Sequence, residues 1–242
     1  MTVYRYNSFL NHLPQMYRTV RDALEGELQM RSHGAVYVPR LDGLTSSQFD
    51  SYLLRGTWYG TPEMTLRALS GLALRKDPVI ALPERLEPIK MSAGADGAPL
   101  SILIEEMVNE VIAMGRFGLL LDFPSANTNA LTLPHIATYR AESIEDYRVE
   151  WIEGRLELTR VVLATDEKFM VGDVAVDVWM ELVLEDAVYK ARRFYLDKKE
   201  RVDIGDEIIP TVQGKALNRI PFLMVSHKSL RPSDETPPLF DL

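Results

Sequence analysis

The residues with the clearest chemical potential are Asp197 and Lys199, which form an Asp-x-Lys sequence, together with Asp186 about one strand earlier. Metal-dependent nucleases use two acids to hold Mg²⁺ and a lysine to assist the attacking water. The surrounding sequence, DKKERVD, is equally typical of a charged hairpin tip, and a two-residue motif recurs by chance. A Mg²⁺-dependent nuclease that uses these three residues is therefore one alternative for the function.

No other pattern in the sequence predicts catalysis or ligand binding. A nucleophile elbow, an HExxH sequence and a glycine-rich phosphate loop are all absent. The histidines are scattered without the spacing of metal ligands: His12, His33, His135 and His227. The absence of cysteine excludes disulfides, thiolate chemistry and cysteine zinc sites. We therefore expect no enzyme activity, no catalytic residue, no metal and no cofactor.

The composition is ordinary for a globular protein, because 46% of the 242 residues are hydrophobic and 26% are charged. No apolar run approaches the roughly 20 residues of a membrane span, so we expect no membrane partner. The net charge is −8. This charge argues against a protein that grips DNA, since phosphate neutralisation by basic residues supplies most of that affinity.

The stretch that organises the rest of the chain is Pro99–Pro124. Apolar residues at helical spacing predict a helix over 99–114 with one face towards a core. Gly115 then provides a left-handed stop at no steric cost. The apolar run beyond it predicts a strand over 117–123 that is buried on both faces.

The other side of this central helix is acidic, with Glu105, Glu106 and Glu110 close together. Like charges at this spacing are ordinary on the outer face of a helix. We therefore predict a solvated face rather than a site.

Residues 1–78 read as a helical segment. An apolar stripe predicts a helix over Gln15–Met30, and a capping box at Thr45–Gln48 opens a second helix. A third helix is expected over Thr61–Leu74, with a proline in its first turn. The proline- and glycine-rich stretch 78–97 is a connector.

Beyond the central stretch the hydrophobic period changes to that of strands. Val174–Leu184 alternates strictly between apolar and polar residues, and Glu153-Gly154 is a hairpin signal. Asp197–Gly205 is interpreted as a charged turn, and Ile220–Val225 as the last strand. These patterns predict a mostly antiparallel β-meander over 135–225.

The predicted fold is α+β, with an N-terminal helical layer packed on a mixed, mostly antiparallel sheet. A helical segment, 1–78, and an α+β domain, 79–242, could form two units or one continuous domain. A polar loop is expected over Ser125–Thr132. The hydrophobic end, Leu239–Leu242, indicates the point where a longer chain was cut, because native ends are usually polar.

Taken together, the chain resembles the portal-like proteins of tailed bacteriophages, in a subgroup catalogued as a domain of unknown function. Four stretches carry this resemblance, in order: Tyr52–Pro78 (YLLRGTWYGTPEMTLRALSGLALRKDP), Gly94–Pro124 with its GRFGLLLDFP ending, Tyr139–Trp151 (YRAESIEDYRVEW), and Ile220-Pro221-Phe222 followed by the terminal PPLFDL.

The resemblance implies a virion structural protein and not an enzyme. Portal proteins form rings, usually of twelve copies, at one capsid vertex, and contact capsid, terminase and head–tail adaptor proteins. DNA passes through the ring without specific binding, which an acidic surface permits. The fold would be wing-like, and this chain would be the N-terminal portion, before the channel-lining helices. The expected location is the virion, and the host cytoplasm during assembly. A minor capsid adaptor is a further alternative.

Four residues are candidates for contacts between subunits. Arg75, Lys76 and Arg116 lie at predicted helix ends and could pair with acids of a neighbour, although the helix dipole explains them equally well. Trp179 lies on the polar face of its strand, where it could cover a second layer or an interface.

Overall fold

The computed structural model describes residues 13–123, 134–212, 214–233 and 235–240. Within them the protein has the α+β fold that the sequence predicts. Helices pack around a three-stranded central sheet, and a five-stranded meander shares a hydrophobic core with that sheet. The described part does not include His12, the predicted loop Ser125–Thr132 or the last two residues.

The elements have the following bounds. The α-helices are α1 (Leu13–Glu25), α2 (Glu27–Ser32), α3 (Ser46–Arg55), α4 (Thr61–Ala73) and α5 (Leu100–Met114). The strands are β1 (Arg116–Asp122), β2 (His135–Tyr139), β3 (Ile144–Ile152), β4 (Arg155–Val171), β5 (Val174–Glu185), β6 (Val188–Asp197), β7 (Glu200–Ile208), β8 (Thr211–Val212), β9 (Lys215–Ala216) and β10 (Phe222–Ser226).

The predicted helix, stop and strand at the centre of the chain are confirmed. Pro99 is the N-cap of α5, and the helix ends at Gly115, whose φ of 84° is left-handed. Strand β1 follows directly as the middle strand of the sheet β10-β1-β2. A Cβ at Gly115 would lie 2.9 Å from the Thr236 carbonyl oxygen, so the turn and the close approach both require glycine.

Strands β3 to β7 form the meander, over residues 144–208. The predicted meander over 135–225 is therefore too long at both ends, because β2 and β10 pair with β1 instead. The predicted charged turn over 197–205 is also wrong. Strand β7 begins at Glu200, and its charged side chains find partners across the sheet, as Arg201 does with Glu181.

Three hairpin turns of the meander place two successive residues at positive φ, as two-residue turns between twisted strands require. The predicted turn Glu153-Gly154 has φ values of 50° and 76°. Asp186-Ala187 and Lys198-Lys199 have the same backbone conformation without a glycine. Their side chains are therefore held in a left-handed region that L-residues rarely adopt.

The helical layer agrees with the predictions at α3 and α4 but not before them. The capping box between Thr45 and Gln48 is confirmed. The single helix predicted over Gln15–Met30 is wrong, because Gly26 at φ 90° separates α1 from α2. The break turns Leu28 out of the predicted stripe and leaves it 86% exposed.

Two hydrophobic clusters hold the described layers together. One lies between the two sheets and includes Leu120 of β1 and Leu182 of β5. The other joins Leu13 and Tyr17 of α1 to Met114 of α5 and to Leu239. Leu239 is thus a core residue of the described fold. None of the described helices is long and apolar enough to cross a bilayer.

Candidate subunit interface

The three residues of the nuclease alternative do not come together. Asp186 lies in the turn between β5 and β6, whereas Asp197 ends β6 and Lys199 lies in the next turn. Because β6 has 10 residues, the two acids are about 30 Å apart. One metal ion cannot span that distance, so the geometry contradicts this alternative. Elsewhere in the described residues, no group of three or more His, Asp or Glu side chains could hold a metal ion.

The prediction that Arg116 contacts a neighbouring subunit is wrong. It is 3% exposed, and its guanidinium donates hydrogen bonds of 2.9 Å to the carbonyl oxygens of Ala141 and Ile144. The same group lies 5.6 Å from the ring centre of Tyr17. Arg116 therefore joins the central sheet to α1 inside the molecule. The helix end that made it a candidate faces the core.

Trp179 is half-buried on the outer face of the meander. Its ring stacks on Phe194 of the neighbouring strand, with ring centres 6.0 Å apart. Phe194 is 2% exposed and also lies beneath the Arg201 guanidinium, 4.4 Å from the ring centre. Trp179 thus helps to cover an apolar residue of its own sheet, and its role at a subunit contact stays a prediction.

Arg75 and Lys76 remain accessible, next to an apolar face of α4. Both are exposed and form no ion pair within the part of the chain that the structure describes. The helix exposes 63% of Met64, 44% of Leu69 and 68% of Leu72, which spread over roughly 140° of its circumference, and the two cations follow its C-terminal end. We call these five residues the α4 surface. It combines apolar side chains with two cations, a composition suited to protein contact.

The packing of α4 explains why this face is open. The opposite side of the helix is used internally, since Pro62 and Ser70 are buried and Leu66 packs on the cluster of α1 and α5. An open groove of about 650 Å³ separates α4 from α5 and continues to the half-exposed Ile102. No described element covers the outward apolar stripe.

A second unpartnered surface lies at the far end of β4 and β5. Strand β3 pairs with β4 only as far as Leu163, and β6 pairs with β5 only from Trp179 onwards. Residues 165–178 therefore form a two-stranded ribbon, which we call the β4–β5 arm. An isolated ribbon of this kind is marginally stable in water.

The arm has one apolar face. Phe169 is opposite Val176, and Val171 is opposite Val174, so these four side chains share a side of the ribbon. Val174 is 63% exposed, and Phe169 is 39% exposed although its ring stacks on Tyr195, 5.7 Å away. The arm also carries more acids than bases, with a single lysine, Lys168, against four acids: Asp166, Glu167, Asp173 and Asp177.

The sequence patterns predict one strand of the arm, within Val174–Leu184, but no partner strand for it over residues 165–171. A signal was available in the strand predicted over Val174–Leu184. An antiparallel partner of that strand has to extend equally far beyond residue 163.

The acidic face of α5 is only partly the solvated surface that the sequence predicts, because Glu105 is exposed, Glu106 is half-buried and Glu110 is buried. Glu110 is 8% exposed, and both its oxygens accept hydrogen bonds from Arg21 of α1, at 2.7 and 2.5 Å. Arg21 also donates to Glu142, with Nε 2.5 Å from Oε1. The cluster of Arg21, Glu110 and Glu142 ties α1, α5 and the segment before β3 together.

The pKa values of the two carboxyls near this cluster shift in opposite directions. Burial disfavours the charged form of Glu142, but the hydrogen bonds and charge of Arg21 hold its pKa below the usual value. The pKa of Glu106 is raised, first by burial and then by the nearby charge of Glu110. The shift at Glu142 follows from its bonding to Arg21 within the fold.

A polar cavity of about 740 Å³ lies between the central sheet and the meander. Acids and arginines both line it, among them Asp122, Glu167 and Arg193. Burial raises the pKa of Tyr139 in its wall to about 12, and the charges of Asp122 and Glu167 act in the same direction. The phenol therefore stays protonated at neutral pH and is not set up as a base.

Comparisons with known proteins do not identify the chain, because no family model and no curated protein sequence matches it.

Proposed function

We propose that the chain is a structural subunit of a tailed-bacteriophage particle, similar to a portal protein, that assembles with copies of itself into a ring and catalyses no reaction. The resemblance of its four sequence stretches is the starting point. The observation that carries the proposal is the pair of exposed apolar surfaces, on α4 and on the β4–β5 arm, that no other described element covers.

Two different surfaces on one chain suit a ring. If one surface of a copy binds the other surface of the next copy, the contact is head-to-tail, and a rotation that closes produces a ring. A subunit of this kind needs a rigid body between the two surfaces. The buried cluster of Arg21, Glu110 and Glu142 and the shared core of the two sheets supply that rigidity.

The partners and location follow from the resemblance. A ring at one capsid vertex would contact capsid, terminase and head–tail adaptor proteins and would let DNA pass. The net charge of −8 favours passage over retention, because a negative surface repels phosphate groups.

The test is to locate the protein in particles. In electron micrographs, antibodies raised against the purified chain should label a single vertex of the particles of the phage that encodes it. Label distributed over the whole shell, or no label on intact and opened particles, would contradict the proposal.

A nuclease assay addresses the alternative. The purified chain should leave linear DNA intact with Mg²⁺ present. Cleavage that is lost in Asp197→Asn but retained in the matched turn variant Asp173→Asn would replace the structural role by an enzymatic one.

A further inference from the structure

We propose that the α4 surface of one copy binds the apolar face of the β4–β5 arm of the next copy. The inference deepens the proposed function, on which it rests for the existence of a ring, by naming the two surfaces and the occupant of each. Each surface exposes apolar side chains that its own chain does not cover, and the two surfaces carry opposite charges.

Each surface leaves apolar area in water that its own chain does not cover. On α4, Met64 and Leu72 lie two helical turns apart and are both more than half exposed. On the arm, Val171 and Val174 are 40% and 63% exposed at the end of the ribbon. Contiguous apolar surface of this kind marks interaction sites in monomers.

The charges of the two surfaces are complementary. The α4 surface carries Arg75 and Lys76, which have no ion-pair partner among the described residues. Of the four acids of the arm, Asp177 pairs with Lys168 and Glu167 pairs with Arg193 of β6, whereas Asp166 and Asp173 have no ion-pair partner among the described residues. Asp173 is exposed at the tip of the arm, directly before Val174. Opposite charges beside an apolar contact favour this pairing and disfavour a contact between two arms.

Both surfaces are narrow. The apolar side of a two-stranded ribbon is about two side chains wide, and the exposed apolar side chains of α4 lie outside the groove to α5, which other residues of α4 line. The α4 surface and the arm belong to separate elements that do not pair with each other in the described fold. A second copy carries both surfaces and so offers a partner for each.

Four variants test the contact in the full chain, by sedimentation velocity over a range of concentrations. Leu72→Asp and Val174→Asp place a charge in the centre of the two proposed surfaces, and each should weaken self-association about tenfold or more. Leu54→Asp and Val36→Asp are the matched controls, since these side chains are 70% and 68% exposed on other elements. The controls should associate as the wild type does.

Mixing the two interface variants tests the head-to-tail arrangement. Leu72→Asp retains an intact arm and Val174→Asp an intact α4 surface, so an equimolar mixture should form a heterodimer and nothing larger. A symmetric contact between two α4 surfaces would instead leave Val174→Asp fully associated and give no heterodimer, which would overturn the proposal.

A double charge reversal tests whether Lys76 and Asp173 lie close together across the contact. Lys76→Glu and Asp173→Lys should each weaken association, and the chain with both substitutions should recover most of the loss. Absence of recovery, or a wild type that stays monomeric at every concentration, overturns the contact. Both results can occur while antibodies still label one capsid vertex, so failure of the contact and failure of the proposed function are distinguishable. Far-ultraviolet circular dichroism checks that all variants remain folded.

Discussion

Strands β4 and β5 each pass through two regions, the body of the meander and the β4–β5 arm, which differ in strand pairing and in burial. In the body of the meander, Val161, Leu163 and Leu182 have no exposed surface and pack against the central sheet. In residues 165–178 the same two strands pair only with each other, and most of their apolar side chains are partly or largely exposed, although Val178 is buried. The body is stabilised by its own chain, whereas the arm is left for a partner to cover.

The largest expected difference between the two regions comes from one strand. Leu182→Ala should lower the free energy of unfolding by about 2–5 kcal/mol, because it removes a fully buried side chain and leaves a cavity. Val174→Ala, eight positions earlier on β5, should cost less than about 0.5 kcal/mol, since its site is exposed. Urea denaturation measures both. Similar losses in the two variants would remove the distinction between body and arm.

A second pair of variants compares an ion cluster of the body with an ion pair of the arm. Arg21→Ala should cost about 2–3 kcal/mol, because it leaves Glu110 buried without its partner, discounted for the partial exposure of Arg21. Lys168→Ala removes the exposed pair with Asp177 and should cost about 0.5 kcal/mol or less. Denaturation at low and high salt adds a check, since only the arm variant should lose its effect in salt.

A third variant sharpens the description of the body through pH. The pKa of Glu142 is lowered in the folded state, so its contribution is present above the ordinary value of 4.5 and is lost as pH falls through the lowered value. Glu142→Gln should therefore reduce the loss of stability on acidification, with an effect of about 1 kcal/mol or less. Denaturation midpoints measured from neutral pH to about pH 3 test this. Equal slopes for wild type and variant would contradict the assignment.

The smallest expected effect compares two turns. Ala187 has φ 57° in the turn that joins β5 to β6, so Ala187→Gly should relieve strain and raise the free energy of unfolding by about 0.5–1 kcal/mol. Asp173, at the tip of the arm, is not at positive φ, and Asp173→Gly should give no gain. A thermal melt resolves the two. Stabilisation of both would indicate a general effect of glycine in loops.

Much of the fold could be predicted from local sequence. Helix α5, its stop at Gly115 and strand β1 follow from hydrophobic period and one glycine, and the capping box at Thr45 and the turn at Glu153-Gly154 follow from short motifs. Each depends on residues that are neighbours in the chain.

The rest depends on distant partners. The burial of Glu110 could not be predicted because its partner, Arg21, is 89 residues away. Strands β2 and β10 were assigned to the meander because pattern alone gives no pairing, and pairing with β1 decides their sheet. The candidate site divides in the same way. Arg75 and Lys76 are candidates because of their place at a predicted helix end. The arm, in contrast, is defined by where the pairing with β3 and β6 stops, which local sequence does not give.

The contact between Tyr17 and the segment 235–240 affects the order of folding. The Tyr17 hydroxyl donates to the carbonyl oxygen of Glu235, 218 residues later, and Leu239 packs beside Tyr17 and Leu13. During synthesis, α1 leaves the ribosome long before this segment is made. The apolar face of α1 therefore lacks its contact with Leu239 during synthesis, and the helical layer can complete its packing only after residue 239 has been made.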